Sequence, residues 1–365
     1  MRRNEHSHEI GFARRLFFLL VASVALITGG AAATVLVAGG NHSGQDHSGE
    51  DHSGENLVGI DLSDANLQDT DLSGSDLSNA NLTKTDFTRA ILDSAIFRYA
   101  SMIEAKLNRV GATNADFEGA DLTKANLDWG TFDDAGFANA TLVEANLSDG
   151  SYVGADFSGA DLTQAILDKG GFQNANFADS ILVDASLKNG DFQDANFDRA
   201  DLTNANLQSG NFRRVSFVNA TLDGANLKGG DFDEADFRDA SLVLADLQNA
   251  SMVNAVMVGA DLTDASLKQV DFTGADLTDV VIDGANLDGT DFTNALLFGV
   301  DFTNVDNIDK ADFTSASYDD TTTIDSSIVA LYNMVFVPEP STGSLVLLGL
   351  VVLAHSRRRS AAKRA

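Results

Sequence analysis

From Leu57 to Phe302 an apolar residue stands at every fifth position, in one unbroken register of fifty positions. Among them only Ala112 is smaller than valine. The residue two places earlier is usually small, as at Ala65, Ala80, Ala125, Ala145, Ala160, Ala225 and Ala265. An α-helix repeats every 3.6 residues and a strand every 2, so a strict period of five suits neither. The pattern predicts a coil built from five-residue sides.

A second period fixes how the coil closes. Gly130, Gly150, Gly170, Gly190, Gly210 and Gly230 recur at intervals of twenty, all at the small position. The large residues sort by the same interval. Phe132, Tyr152, Phe172, Phe192, Phe212 and Phe232 make one column, and Phe117, Phe137, Phe157, Phe177, Phe197, Phe217 and Phe237 another. Leucines from Leu122 to Leu242 and from Leu127 to Leu247 supply the remaining two. Four sides therefore make one turn, and low-complexity disorder would sort nothing by side.

Runs such as Ala160-Asp161-Leu162-Thr163-Gln164, Ala200-Asp201-Leu202-Thr203-Asn204 and Ala225-Asn226-Leu227-Lys228-Gly229 resemble the A(D/N)LXX unit of pentapeptide-repeat proteins. The resemblance covers about two-thirds of the chain. It implies an all-β fold, a right-handed quadrilateral β-helix of about 12 coils of 20 residues. The central Leu or Phe and the preceding Ala would point inward. The Asp or Asn before the centre and the Ser or Thr after it would point out.

Packing agrees with that assignment. One large and one small side chain per side can fill a square interior without voids. Gly at the small position of the first Phe side leaves room for the ring and would tolerate a positive φ at the corner. Proline would delete a ladder donor; the chain has two, Pro338 and Pro340, both beyond the repeats. At the spacing of neighbouring strands the rod should be roughly 60 Å long. The register slips by one residue around Asn304 to Asn307, after which Ile308, Phe313 and Tyr318 resume it. Residues 324–336 lose the period and are read as a cap over the open end, which would otherwise invite end-to-end pairing.

Both ends carry apolar segments flanked by basic residues. Arg2, Arg3, Arg14 and Arg15 precede an uncharged stretch from Leu16 to Ala38, and Ala31-Ala32-Ala33 offers a cleavage site. Residues 1–40 thus read as an export signal or as an N-terminal membrane anchor. At the other end, Val337-Pro338-Glu339-Pro340-Ser341, the apolar run Leu345 to Ala354 and Arg357-Arg358-Arg359 resemble the PEP-CTERM sorting signal over residues 337–365. That resemblance implies a Gram-negative host, an exosortase-type membrane protease as processing partner, and cleavage near the Pro-Glu-Pro motif. Pro338, Glu339 and Pro340 would be recognised, and Arg357, Arg358 and Arg359 would hold the tail in the membrane. Basic clusters stay on the cytoplasmic side, so the repeats between them belong outside.

Residues 41–55 read Asn-His-Ser-Gly-Gln, Asp-His-Ser-Gly-Glu and Asp-His-Ser-Gly-Glu. They keep the fivefold phase with His where Leu should stand, and look like a decayed or newly duplicated repeat. The composition predicts a solvated Gly/Ser-rich linker, with weak binding of zinc or copper as the other reading. The repeats proper are then taken as residues 56–323.

The formal charge of −30, from 24 Lys and Arg against 54 Asp and Glu, understates the acidity of the rod. Without the terminal signals, 15 basic residues face 51 acidic ones, a balance of −36. Carboxylates stacked at the coil spacing would repel by roughly 1 kcal/mol per pair in water. The sequence spaces them out: the column before the first Leu side runs Asp121, Thr141, Asp161, Ile181, Asp201, Thr221, Ser241, Asp261. The column before the second carries Asn126, Asn146, Asn206 and Asn226, neutral groups able to bond along a ladder.

Catalysis has little to build on. The chain has no cysteine, and its six histidines (His6, His8, His42, His47, His52 and His355) all fall outside the repeats as delimited. No catalytic, cofactor or resident metal residue is assigned. Trp129, Tyr99 and Phe298 fall at outward positions. Trp129 with Val243, Leu244, Val253, Val256 and Val258 forms the candidate contact patch.

These readings predict an exported, non-enzymatic acidic scaffold in the cell envelope or exopolysaccharide, with a partner there that the residues do not identify and no nucleic acid. Family members often dimerise through their C-terminal coils, so the resemblance implies a homodimer as well. The competing reading is a DNA mimic that binds gyrase or another topoisomerase, as quinolone-protecting members of the family do; its charge suits that role and export opposes it. A third is a calcium- or metal-buffering surface protein.

Overall fold

The computed structural model describes residues 35–338. They form one four-sided β-helix in which each residue before a side's centre pairs in parallel with the residue twenty positions on. Asp61, for example, bridges Asn41 on one coil and Asn81 on the next. This ladder runs from Asn41↔Asp61 to Asp301↔Thr323.

One pentapeptide shows why the motif has its letters. Leu62 points inward, and its N–H donates to the Asn81 carbonyl at 2.8 Å. The corner closes when the Ala65 N–H donates to the Leu62 carbonyl at 3.0 Å, with Asp64 at φ 57°. A positive φ at the third residue is the signature of a type II turn, and Asn and Asp tolerate it better than most side chains. Asp61 Oδ1 accepts the Ser63 N–H at 3.1 Å and the Ser63 hydroxyl at 2.7 Å. Asp121 and Asn146 hold Thr123 and Ser148 in the same way. The Asp or Asn of the repeat is therefore an Asx-turn residue that satisfies a corner donor.

The interior is a set of vertical columns. Phe137, Phe157 and Phe177 stack with centroids 4.8 Å apart and planes within 2° of parallel. Phe132, Tyr152, Phe172 and Phe192 make the neighbouring stack at 4.7–5.1 Å. Rings in the two columns meet at a tilt, 57° for Phe132 against Phe137. The backbone ladder imposes the face-to-face spacing, which is the distance between hydrogen-bonded strands. On the outside, the Asp121–Thr141–Asp161–Ile181–Asp201 column is present as bridged neighbours, so those carboxylates alternate with other side chains. Asn146 Nδ2 donates to Asn126 Oδ1 at 3.0 Å, a rung of the expected amide ladder.

The glycine expectation needs correction on one point. A Cβ at Gly170 would stand 2.5 Å from Phe172 Cε2, so the ring does occupy the space of the missing side chain. The positive φ, however, falls on the preceding residue, Lys169 at 58°. The corner's left-handed position and its small position are different residues, and glycine at the second serves packing alone.

The slip is a short 3-10 turn, Ile308–Lys310, entered through Asn307 at φ 59°. The pairing interval lengthens there from twenty (Asn286↔Asp306) to twenty-one (Asp291↔Asp312), and then to twenty-two (Asp301↔Thr323). Beyond it, strand β1 (Ser317–Tyr318) pairs in parallel with β2 (Val335–Phe336). Between them lies helix α1 (Ser326–Leu331), whose N-cap Asp325 accepts the Ser327 N–H at 2.7 Å. Ile324, Ile328, Val329 and Tyr332 pack on the last coil, with the Tyr332 ring 5.9 Å from Phe313.

The largest departure from expectation is at the start. Residues 41–55 are not a linker but part of the first coil. His42, His47 and His52 donate their N–H groups to the carbonyls of Asp61, Asn66 and Asp71 at 2.7–2.9 Å, as leucines do elsewhere. Asn41, Asp46 and Asp51 make the same Asx turns onto Ser43, Ser48 and Ser53. Gly44, Gly49 and Gly54 take the left-handed corner position at φ 65–69°. Backbone bonding makes the coil, and the side chain at the centre need only fit, so the repeat tolerates histidine there. The coil begins earlier than residue 41 as well, since the Gly39 N–H donates to the Val58 carbonyl at 2.9 Å. The rest of the apolar N-terminal stretch, residues 16–34, lies outside the described residues, as does the run 345–354. Among the described residues no helix is long and apolar enough to cross a membrane.

Candidate site in the first coil

In every later coil the inward positions are filled mainly by Leu, Phe and Ala, with a few small hydroxyls such as Thr70, Ser75 and Thr85. In the first coil the same geometry carries His42, Gln45, His47, Glu50, His52 and Glu55. The pentapeptide frame sets their order. His occupies each centre, and Gln or Glu occupies the small position that follows, three residues later.

That spacing lets each imidazole reach the next corner. His42 Nδ1 lies 3.1 Å from Gln45 Oε1, His47 Nδ1 2.9 Å from Glu50 Oε2, and His52 Nδ1 3.2 Å from Glu55 Oε2. One further contact breaks the repeat: His52 Nε2 also lies 2.9 Å from Glu50 Oε2. A single carboxylate oxygen is thus shared by two imidazoles. The rings stand edge to face, with centroids 5.7 Å apart for His42–His47 and 5.8 Å for His47–His52.

The cluster is largely withdrawn from water. The His47 side chain is 0% exposed and that of His52 7%, while Glu50 and Glu55 are each 29% exposed. Burial alone would depress the His52 pKa. Hydrogen bonds and charge from Glu55 and then Glu50 outweigh it, and the imidazole stands above its ordinary value. His52 can donate to both carboxylates only when both ring nitrogens carry protons. His47, Glu50 and His52 offer three potential ligand atoms within 4.8 Å of one another. The assumption that every histidine sits outside the coils hid this cluster. The signal for it is present in the sequence as the phase of the three histidines, aligned with the leucine centres, but the Gly/Ser-rich composition points to a linker.

The other expected sites fare differently. The contact patch does not assemble, because the chain turns a corner every five residues. Val243 lies on one side with Leu244 at its corner, Val253 lies on the opposite side, and Val256 and Val258 lie on the side between them. Trp129 is 60% exposed at another corner, six coils away from Asn249 in its own column. Pro338 follows directly on the cap, where the Val337 N–H donates to the Tyr318 carbonyl at 2.8 Å. Glu339, Pro340, Arg357, Arg358 and Arg359 lie outside the described residues.

Comparison with known proteins places these features. The repeats match the family description "Pentapeptide repeats" in overlapping segments that together run from residue 55 to 317. Residues 336–359 match the "PEP-CTERM protein-sorting motif". No curated protein sequence matches the chain significantly. Among solved structures it is similar to HetL, a pentapeptide repeat protein involved in heterocyst differentiation regulation in Nostoc sp. strain PCC 7120. The two are 27% identical over 68% of this chain and 89% of that one, with a TM-score of 0.28. A form of QnrB1, a plasmid-mediated fluoroquinolone resistance protein, is 17% identical over 56% of this chain and 88% of its own, at a TM-score of 0.28. A pentapeptide repeat protein of the Arabidopsis thaliana thylakoid lumen is 28% identical over 32% and 68%, at 0.23. Such TM-scores add no argument, and the assignment rests on the repeats themselves. With the A(D/N)LXX frame matched over more than half its length, the chain belongs to the pentapeptide repeat family and ends in a PEP-CTERM sorting motif.

Proposed function

We propose that the protein is an exported, non-enzymatic scaffold, a stiff acidic rod delivered to the cell envelope or exopolysaccharide by an exosortase-type system. The observation that carries this reading is the sorting motif at residues 336–359, attached to a solenoid whose described coils are interrupted only by the short turn Ile308–Lys310. Family members are generally structural or interaction proteins. The join between rod and motif supports the same reading. Strand β2 ends at Phe336 and Pro338 follows two residues later, so cleavage at Pro-Glu-Pro would leave coils and cap whole.

At the other end, the coil starts close behind Ala31-Ala32-Ala33. Cleavage there would remove the apolar segment without shortening the ladder, and the N-terminal segment accordingly acts as a cleaved export signal. Leu331, Val335, Phe336 and Val337 leave an exposed apolar edge on the cap, which suits a homodimer formed through the C-terminal coils. The partner in the envelope is unassigned, and nucleic acid has no part in this reading.

The test is the mass of the mature chain in cytoplasmic, membrane and extracellular fractions of the host. A chain outside the cytoplasm, starting near Val35 and ending near Pro340, is expected. An intact chain in the cytoplasm, with Arg357 to Arg359 present, would overturn the proposal and make binding to DNA gyrase the next measurement.

A further inference from the structure

The structure assigns a second property to the rod: its first coil is a site for one late first-row divalent cation, held by His47 Nδ1, His52 Nε2 and a Glu50 carboxylate oxygen. This goes beyond the scaffold reading and does not depend on it, because the site is made from the interior of the coil and not from the sorting signals.

Three observations carry it. The first is convergence. His47 Nδ1 and His52 Nε2 each lie 2.9 Å from the same Glu50 oxygen, and the three ligand atoms fall within 4.8 Å of one another. Ligands at the usual zinc distances sit about 3.3 Å apart in a tetrahedral shell. The two imidazole–Glu50 pairs, at 2.9 Å, thus need only a small expansion, and all three residues contribute from one coil.

The second is the outer support. His52 presents Nε2 to the site while its Nδ1 lies 3.2 Å from Glu55 Oε2. A metal-bound imidazole almost always has its other nitrogen held by a carboxylate or carbonyl, which fixes the ring and raises its basicity. Glu55 occupies that place.

The third is cost. A polar end to a solenoid needs polar groups only on its outside. Here the inward positions themselves are polar, and two imidazoles are almost wholly buried. Burying such groups is unfavourable unless each is paired or coordinates a metal. Two carboxylates converging on His52 call for positive charge at that point, which a divalent cation supplies more fully than a proton.

Two imidazole nitrogens and one carboxylate select zinc, copper, nickel or cobalt, whereas calcium and magnesium prefer shells made of oxygen alone. The acidic outer columns have no imidazole and offer only that second kind of contact. A test must therefore separate the coil interior from the surface.

The decisive experiment is calorimetric titration of the intact purified chain with Zn²⁺ in excess Mg²⁺, paired with Co²⁺ absorption and Cu²⁺ electron paramagnetic resonance. We expect a single saturable site, cobalt bands of a low-coordinate centre, and nitrogen hyperfine splitting from imidazole. Glu50→Gln and the double variant His47→Ala/His52→Ala should each weaken Zn²⁺ by at least about tenfold, while circular dichroism and the main thermal transition stay unchanged. Absence of saturable Zn²⁺ binding by the parent chain would overturn the assignment. So would binding that survives the double variant at full affinity, since the ion would then sit on the acidic surface or on histidines elsewhere. The Cu²⁺ spectrum of the unaltered chain decides the matter independently of folding in the variants: oxygen-only ligation would also refute the site.

Discussion

At the scale of single residues, large and small positions are chosen in pairs. A Cβ at Gly170 would meet Phe172 Cε2 at 2.5 Å and Cζ at 3.2 Å, whereas the Leu columns carry Ala at the same place, as in Ala165 before Leu167. Gly170→Ala should therefore destabilise by roughly 1–3 kcal/mol through overpacking. Adding Phe172→Leu should return part of that loss, a coupling of about 1 kcal/mol or more in a double-mutant cycle followed by denaturant unfolding. Simple additivity of the two changes would show that the ring does not set the glycine. The corner makes a separate demand. Leu244 holds φ 62° while 65% exposed, so it carries left-handed strain with little packing in return. Leu244→Asn should stabilise by roughly 0.5–1 kcal/mol, a fraction of the left-handed cost for a bulky residue; an unchanged or lower melting temperature would show that Leu244 contributes packing that the strain does not offset.

At the scale of one side and its corner, the outward Asp joins successive coils as well as closing its own turn. Asp86 accepts from the Thr88 N–H at 3.1 Å and Thr88 hydroxyl at 2.5 Å, and its second oxygen meets Lys106 Nζ at 3.1 Å and Gln68 Nε2 at 3.0 Å. Partial burial pushes the Asp86 pKa up, but the Thr88, Lys106 and Gln68 bonds outweigh it and hold the carboxyl below its ordinary value of 3.8. With a folded pKa below the unfolded one, the ionised group stabilises the fold fully above about pH 4 and loses that contribution as pH falls through the depressed value. Asp86→Asn keeps the Asx turn and removes the charge. It should cost about 1 kcal/mol at pH 7, and the gap between the two melting curves should close towards pH 3; a gap independent of pH would place the effect elsewhere. Elements of this kind were legible in the sequence because every side repeats the same five letters. The sorting of Phe from Leu revealed the number of sides, and Ile308, Phe313 and Tyr318 revealed the slip. The first coil keeps the fivefold phase yet reads as a linker because its centres are polar, whereas the backbone asks only for an Asx turn and a left-handed corner. Asp46-His47-Ser48-Gly49 meets both demands. The contact patch failed for the opposite reason: Val243 and Val253 are near neighbours in sequence, but two corners place them on opposite sides.

At the scale of the whole molecule, what matters is that the two ends of a stiff rod cannot reach the same point. Ser63 and Thr303 lie in one column, twelve coils apart by the twenty-residue interval, which at the strand spacing is roughly 58 Å. The chain has no cysteine, so spin labels on Ser63→Cys and Thr303→Cys report that length directly, and a markedly shorter distance would mean a bent or broken solenoid. The same length decides orientation at the membrane. Were both apolar termini retained with their arginines in the cytoplasm, the rod would have to lie along the membrane surface. With the N-terminal segment cleaved, only the sorting tail holds it, and the histidine coil stands at the far end of the rod. We therefore expect an asymmetry in the unprocessed chain made by replacing Pro338, Glu339 and Pro340 with Ala. A fluorophore at Thr303→Cys should be quenched by a lipid-borne quencher, and one at Ser43→Cys should not. Equal quenching at both positions would mean that the N-terminal segment is kept and the rod lies flat. The cleaved case puts the candidate cation site far from the membrane, at the end of the molecule that first meets whatever surrounds the cell.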